Sequence, residues 1–243
     1  MAVTVESCTA AIRHHTEGLA RVAAENLDRR VEHCPDWSVA DLVWHLTGVH
    51  RFWSTVVTEL PSEPPDEASP DDRPADDDLV PGMLAAMETL VAALGAADQD
   101  AQCWTWGLDQ RVWFVTRHQV QEAAVHHWDA LNAAGRGQEW QMDDELALDA
   151  VDEFLTHSVA NTRWPMPGAP AIGGTLRLGE WDVTDGSAPG TVAASRRPDP
   201  ASDVDPNHLL LWLFRRLPEP GFVVAGPEEQ AMIDRFRALT STD

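Results

Sequence analysis

The 243 residues suffice for a sizeable core and suit one main domain with a smaller companion. With 17 Lys and Arg against 40 Asp and Glu the formal charge is −23, so a nucleic-acid backbone or an anionic membrane is repelled over most of the surface. Cys8, Cys34 and Cys103 are widely spaced and form no CxxC, which argues against a disulfide framework or a cysteine-rich zinc site and points to a reducing, cytoplasmic setting.

The N-terminus shows no basic segment leading into an apolar run, and no uninterrupted apolar stretch is long enough to cross a bilayer, so no membrane partner is expected. Val5, Cys8, Ala11, Ile12, Leu19, Val22 and Ala23 recur at intervals of mostly three and four, predicting a first amphipathic helix over 5–27 with His14 and His15 toward solvent. Ser38 and Asp41 have the S-x-x-D spacing of a capping box, so a second helix starts after Ser38, beyond the turn at Pro35. Residues 61–78, PSEPPDEASPDDRPADDD, hold five prolines and eight acids against one arginine and predict a mobile acidic loop. A third helix is expected over 79–94, a fourth over 111–132 that GRGQ breaks, and a fifth over 143–160 that ends before Trp164-Pro165. Beyond MPGAPAIGG the pattern changes: TLRLG, WDVTDG and TVAAS read as short strands between turns, followed by the apolar helix HLLLWLFRRL, a strand FVVAG and a closing helix EEQAMIDRFRAL. The fold class is therefore α+β, a helical bundle over 1–165 followed by a small α/β domain over 166–243. Eleven tryptophans with no tyrosine serve a core or a dimer face equally well, which leaves monomer and homodimer both open.

The stretch EAAVHHWDA at 122–130 concentrates the candidate chemistry. A helix advances about 100° per residue, so Glu122 and His126 lie about 40° apart on one face, whereas His127 points about 140° away from Glu122. Asp129 returns to the first face, making Glu122, His126 and Asp129 one polar stripe among Val112, Val115, Ala123, Val125 and Trp128. A buried carboxylate and imidazole need partners, and a metal is one way to supply them. An isolated E-x-x-x-H pair is as readily a weak surface ion pair. His45, however, is spaced from Leu42, Val49 and Phe52 to face inward on the second helix, and bundles build metal sites from side chains on facing helices. His50, five residues on, points elsewhere and is expected to be solvated. His45, Glu122 and His126 would leave at least one position open, as in a catalytic zinc site, although nickel, iron or manganese suits a similar set. Asp129 would then orient a ligand histidine through its distal N–H, or ligate the metal outright. Trp37 and Trp44 read first as packing residues, with Trp44, beside His45, the candidate to line a substrate pocket.

PDWSVADLVWHLTGVHRFW together with RHQVQEAAVHHWDA resembles the mycothiol-dependent maleylpyruvate isomerase family of actinobacteria, within the larger DinB-like group of metal-binding four-helix bundles. The resemblance covers most of the chain: LLLWLFRRLP, GFVVAG and the last helix are similar to the small sterol carrier protein-like domain that follows the bundle. It implies an N-terminal DinB-like up-down four-helix bundle, a divalent metal, foremost Zn²⁺, on His45, Glu122 and His126, and mycothiol as the thiol cosubstrate. None of the three cysteines lies in the metal motifs, so the reactive sulfur is expected from that low-molecular-weight thiol. The resemblance further implies an arginine near the metal, matched by Arg216 or Arg215 of LFRRLP. Arg216 is taken as the catalytic candidate, against the plainer reading of both as solvated charges closing an apolar helix. The implied activity is deprotonation of the thiol at the metal, then S-transfer to a small-molecule electrophile or thiol-dependent cis-trans isomerisation. The alternative is a noncatalytic DinB-like module that binds metal or a small ligand in regulation.

Overall fold

The computed structural model describes residues 3–65, 73–159, 168–197 and 203–240. The chain divides into two compact units, Met1–Thr105 with Gln110–Leu146, and Trp106–Asp109 with Ala147–Asp243. The boundary expected at 165 lies outside the described residues.

In the first unit α1 (Val5–Ala23), α2 (Val39–Glu59), α3 (Asp76–Ala96) and α4 (Val112–Ala133) form a four-helix bundle. Helix α1 packs on α3 and α4, and α2 packs on α3, α4 and α1. Capping boxes open the first two helices: Thr4 Oγ1 accepts from the Ser7 N–H at 3.1 Å, and Asp41 Oδ2 accepts from the Ser38 N–H at 2.9 Å while Ser38 Oγ accepts from the Asp41 N–H. Ser38→Ala is expected to cost about 1 kcal/mol, read as a lower denaturant midpoint at unchanged m-value. An unmoved midpoint would show that the start of α2 is held otherwise. Helix α1 stops at Ala23 rather than 27 because the Asn26 side chain donates to the Val22 carbonyl at 2.8 Å, supplying the bond that a further turn would have made.

Helix α3 starts three residues before the expected position. Asp76, Asp77 and Asp78, read as the end of an acidic loop, form its first turn, where the helix dipole favours carboxylates. Arg73 donates to Asp76 at 2.9 Å and fixes that start; the middle of the expected loop, 66–72, lies outside the described residues. At 21 residues and a mean hydropathy of 1.7 in its most apolar window, α3 is long and apolar enough to cross a membrane by length and composition alone, although Glu88 interrupts its apolar run. Here Leu79, Met83, Met87, Leu90 and Leu94 are buried side chains of the bundle. Helix α4 ends as GRGQ predicts. Gly135 takes a positive φ of 76°, its N–H bonds to the Asn132 carbonyl, and the Arg136 N–H bonds to the Leu131 carbonyl, closing a Schellman turn.

Helix α5 (Asp144–Glu153) is followed by one π-helical turn, Phe154–Ser158, instead of running on as α-helix to 160. The Val159 N–H bonds to the Phe154 carbonyl, and Ser158 Oγ donates to Glu153 at 2.6 Å. The second unit contains the three-stranded antiparallel sheet β1 (Leu176–Leu178), β2 (Trp181–Asp185), β3 (Val192–Arg196), in that order, with Leu178 opposite Trp181 and Val183 opposite Ala194. The alternation of Leu176, Leu178, Trp181 and Val183 puts all four inside. Helices α6 (Pro206–Leu213) and α7 (Pro227–Ala238) add Leu209 to Leu213, Ile233 and Phe236 to the buried set, with the rings of Trp212 and Phe236 stacked at 6.4 Å. FVVAG is not a strand: Val223 is 91% exposed, and the segment follows Gly221 and ends in Gly226, both at positive φ. Its β-branched residues meet no neighbouring strand in the described sheet, and β-propensity acts only through such neighbours.

Candidate metal centre

Three side chains from two helices converge in the bundle. His45 lies two turns into α2, seven residues after its cap, and Glu122 and His126 lie one turn apart in the middle of α4. Their potential ligand atoms all fall within 4.8 Å of one another. Both imidazoles present Nε2 to the same carboxylate oxygen: His45 to Glu122 Oε1 at 3.2 Å and His126 to it at 3.3 Å. Ligands on one tetrahedral ion at about 2.0–2.1 Å stand about 3.3 Å apart. The donor set and these separations therefore fit a divalent cation.

The electrostatics point the same way. The far nitrogen of His126, Nδ1, donates to Asp129 Oδ2 at 3.0 Å. His126 is thus flanked by carboxylates at both ring nitrogens. Burial pushes its pKa down, but the charge of Glu122 and the hydrogen bonds to Asp129 and Glu122 outweigh that and raise it to about 9. Burial would raise the Glu122 carboxyl, yet the His126 charge and the hydrogen bonds from His126 and His45 hold it well below the usual range. The site keeps a positive charge against the half-buried Glu122 and the buried Asp129, the demand a cation at Nε2 would also meet.

Asp129 stands where the sequence places it, fully buried against His126. Asp129→Asn is expected to weaken Zn²⁺ affinity about 10- to 100-fold, measured by competition with a chromogenic chelator; unchanged affinity would remove Asp129 from the orienting role. The aromatic ring against His45 is Trp37, at a centroid distance of 4.8 Å. It is carried there by the chain reversal before α2, closed by Val31 N–H to the Trp37 carbonyl and Val39 N–H to the Arg29 carbonyl. Trp44 is half-buried, with the Arg51 guanidinium over its ring at 5.8 Å. In the second unit, Arg215 takes φ 62° and its guanidinium donates to the Arg237 and Thr240 carbonyls at the end of α7. Arg216 is 6% exposed and donates to the Phe214 carbonyl.

His50 overturns the expectation of solvation. It is 0% exposed, with Nδ1 at 3.3 Å from Gln119 Oε1 and Nε2 at 3.3 Å from Thr16 Oγ1. The Gln119 carbonyl requires Nδ1 to donate, so Nε2 accepts from the Thr16 hydroxyl. Burial, its largest influence, lowers its pKa to about 4. His15 is also buried rather than solvated, whereas His14 is exposed as expected. The residue that sequence reasoning missed is His118, one turn before Glu122, which stacks on Phe114 at 5.6 Å and adds positive potential at the Glu122 carboxylate. Its spacing of four from Glu122 was the available signal.

A family model described as the mycothiol maleylpyruvate isomerase N-terminal domain matches residues 8–131, a stretch that contains His45, Glu122, His126 and Asp129. No curated protein and no solved structure matches the chain.

Proposed function

Because the chain belongs to the mycothiol maleylpyruvate isomerase N-terminal domain family, we propose that it is an enzyme that uses a divalent metal, foremost Zn²⁺, and a low-molecular-weight thiol, foremost mycothiol. The observation that carries this reading is the convergence of His45, Glu122 and His126 within 4.8 Å. When bound, the ion supplies Lewis acidity, lowering the pKa of a thiol that reaches it so that the thiolate is the reacting form. His45, Glu122 and His126 would hold the ion, and Asp129 fixes the His126 ring so that Nε2 faces Glu122. Trp37 covers one side of His45 and keeps water from that face.

The sulfur lone pair adds to an electron-poor carbon of a small electrophile. Where that carbon is part of a double bond, rotation about the resulting single bond and expulsion of the thiolate return an isomerised substrate. Where it carries a leaving group or a strained ring, the bonding pair departs with that group and an S-conjugate remains. Mass spectrometry of metal-loaded protein with mycothiol and a panel of electrophiles separates the two, since only the conjugate gains the mass of the thiol. Protein that holds no stoichiometric divalent metal by elemental analysis and turns over no electrophile would refute the reading.

A further inference from the structure

Turned away from the triad, His127 of α4 meets His15 of α1, and we infer that this pair binds a second divalent cation of the imidazole-preferring kind, Cu²⁺ or Zn²⁺, independently of His45, Glu122 and His126. The two Nδ1 atoms stand 3.1 Å apart. Two nitrogens on one cation at about 2.0–2.1 Å stand about 2.9 Å apart at a right angle and about 3.3 Å apart at the tetrahedral angle. The observed spacing falls between, so the pair spans an ion with little movement of either ring. A neutral imidazole carries its single proton on either nitrogen, and with both protons on Nε2 the two Nδ1 lone pairs face each other.

Both rings are held in advance. His127 lies over Gly18 of α1, where a Cβ would come within 2.4 Å of Cε1 and 2.5 Å of Nε2, so only glycine admits the ring there. His15 is 2% exposed and packs at 6.2 Å from the Trp140 ring, which is itself tied by its N–H to the Ala124 carbonyl at 2.8 Å. Pre-oriented donors lose little entropy on binding. The pair opens on a cavity of about 950 Å³ whose wall includes His14, Glu139, Asp143 and Glu145. Those four are exposed, and their three carboxylates give the cavity wall an acidic character that favours entry of a cation.

The test titrates metal-free protein with Cu²⁺ and, separately, Zn²⁺, following affinity by calorimetry and uptake by elemental analysis after gel filtration. One equivalent should survive His126→Ala yet weaken at least tenfold in His15→Gln and in His127→Gln. Gly18→Ala retains both histidines and displaces one ring, and should weaken the same equivalent by a similar factor. The helical circular dichroism spectrum reports folding for each variant, and His127, half-exposed, is the substitution least demanding of the fold. Uptake unchanged in both His127→Gln and Gly18→Ala overturns the inference, as does a folded His126→Ala protein that takes up no cation. Loss of the equivalent that depends on His126 bears on the triad alone.

Discussion

His126→Ala should abolish thiol-dependent turnover, by roughly 10³-fold or more, which corresponds to about 4 kcal/mol of transition-state stabilisation. Three effects act together. One of the three converging donors is lost, so the triad can no longer retain a divalent ion at micromolar concentration. Glu122 loses the charge that holds its carboxyl down and keeps only the contact from His45. Asp129, with no exposed side-chain surface, loses its imidazole partner. Removing one member of a buried charged set costs about 3–5 kcal/mol of stability, so the metal-free variant should also melt earlier. Folding must therefore be read separately by circular dichroism. A folded His126→Ala protein that no longer retains the triad's metal but still conjugates or isomerises at the wild-type rate would sink the catalytic reading. A variant without turnover whose electrophile affinity is intact would place the effect in the chemical step.

The second large effect is acid instability between pH 6.5 and about 3. His50 is lowered to about 4 and His15 to about 3, burial being the first cause in each case, against an ordinary value of 6.5. Above pH 6.5 both are neutral whether folded or unfolded, and their contribution to stability is constant. Below it the unfolded chain binds protons that the folded chain refuses, so stability falls by up to about 1.4 kcal/mol per pH unit for each histidine until the folded values are reached. The loss per residue is on the order of 3 kcal/mol, which for two residues approaches the whole stability of an ordinary domain. Glu122, lowered rather than raised, adds a further loss only as pH falls below about 4.5. Relief of the −23 charge opposes the trend as carboxylates protonate, chiefly below pH 5. Chelator-treated protein melted across pH 8 to 4 should show the fall, and His50→Gln should flatten it by about one third to one half. A melting midpoint as high at pH 4.5 as at pH 7 would show that neither histidine is held neutral.

These histidines also mark where reading along one helix stops being enough. The Glu122, His126 and Asp129 stripe was legible because its members share one continuous helix, and the helical period alone sets their common face. The same period correctly turned His127 away from that face. It misplaced His50 and His15 because pointing away from one neighbour was read as pointing to water. In a bundle each helix is covered on more than one side: Thr16 of α1 and Gln119 of α4 both close on His50, and α4 closes on His15 through His127. That Trp37 meets His45 was hidden for a similar reason, since the position of Trp37 depends on the chain reversal before α2 rather than on helical phase.

By itself the sequence determined where the helices run to within a turn, the Ser38–Asp41 cap of α2, the three strands β1 to β3, the break at Gly135 and the polar stripe on α4. All of these follow from local periodicity, side-chain capping and turn chemistry that act within a few residues. Only the tertiary structure decided that His45 shares a carboxylate oxygen with His126, that His15 and His50 lie in the interior, and that FVVAG has no partner strand among the described residues. Each of those depends on which element lies alongside, across tens of residues of chain, and no local pattern carries that information.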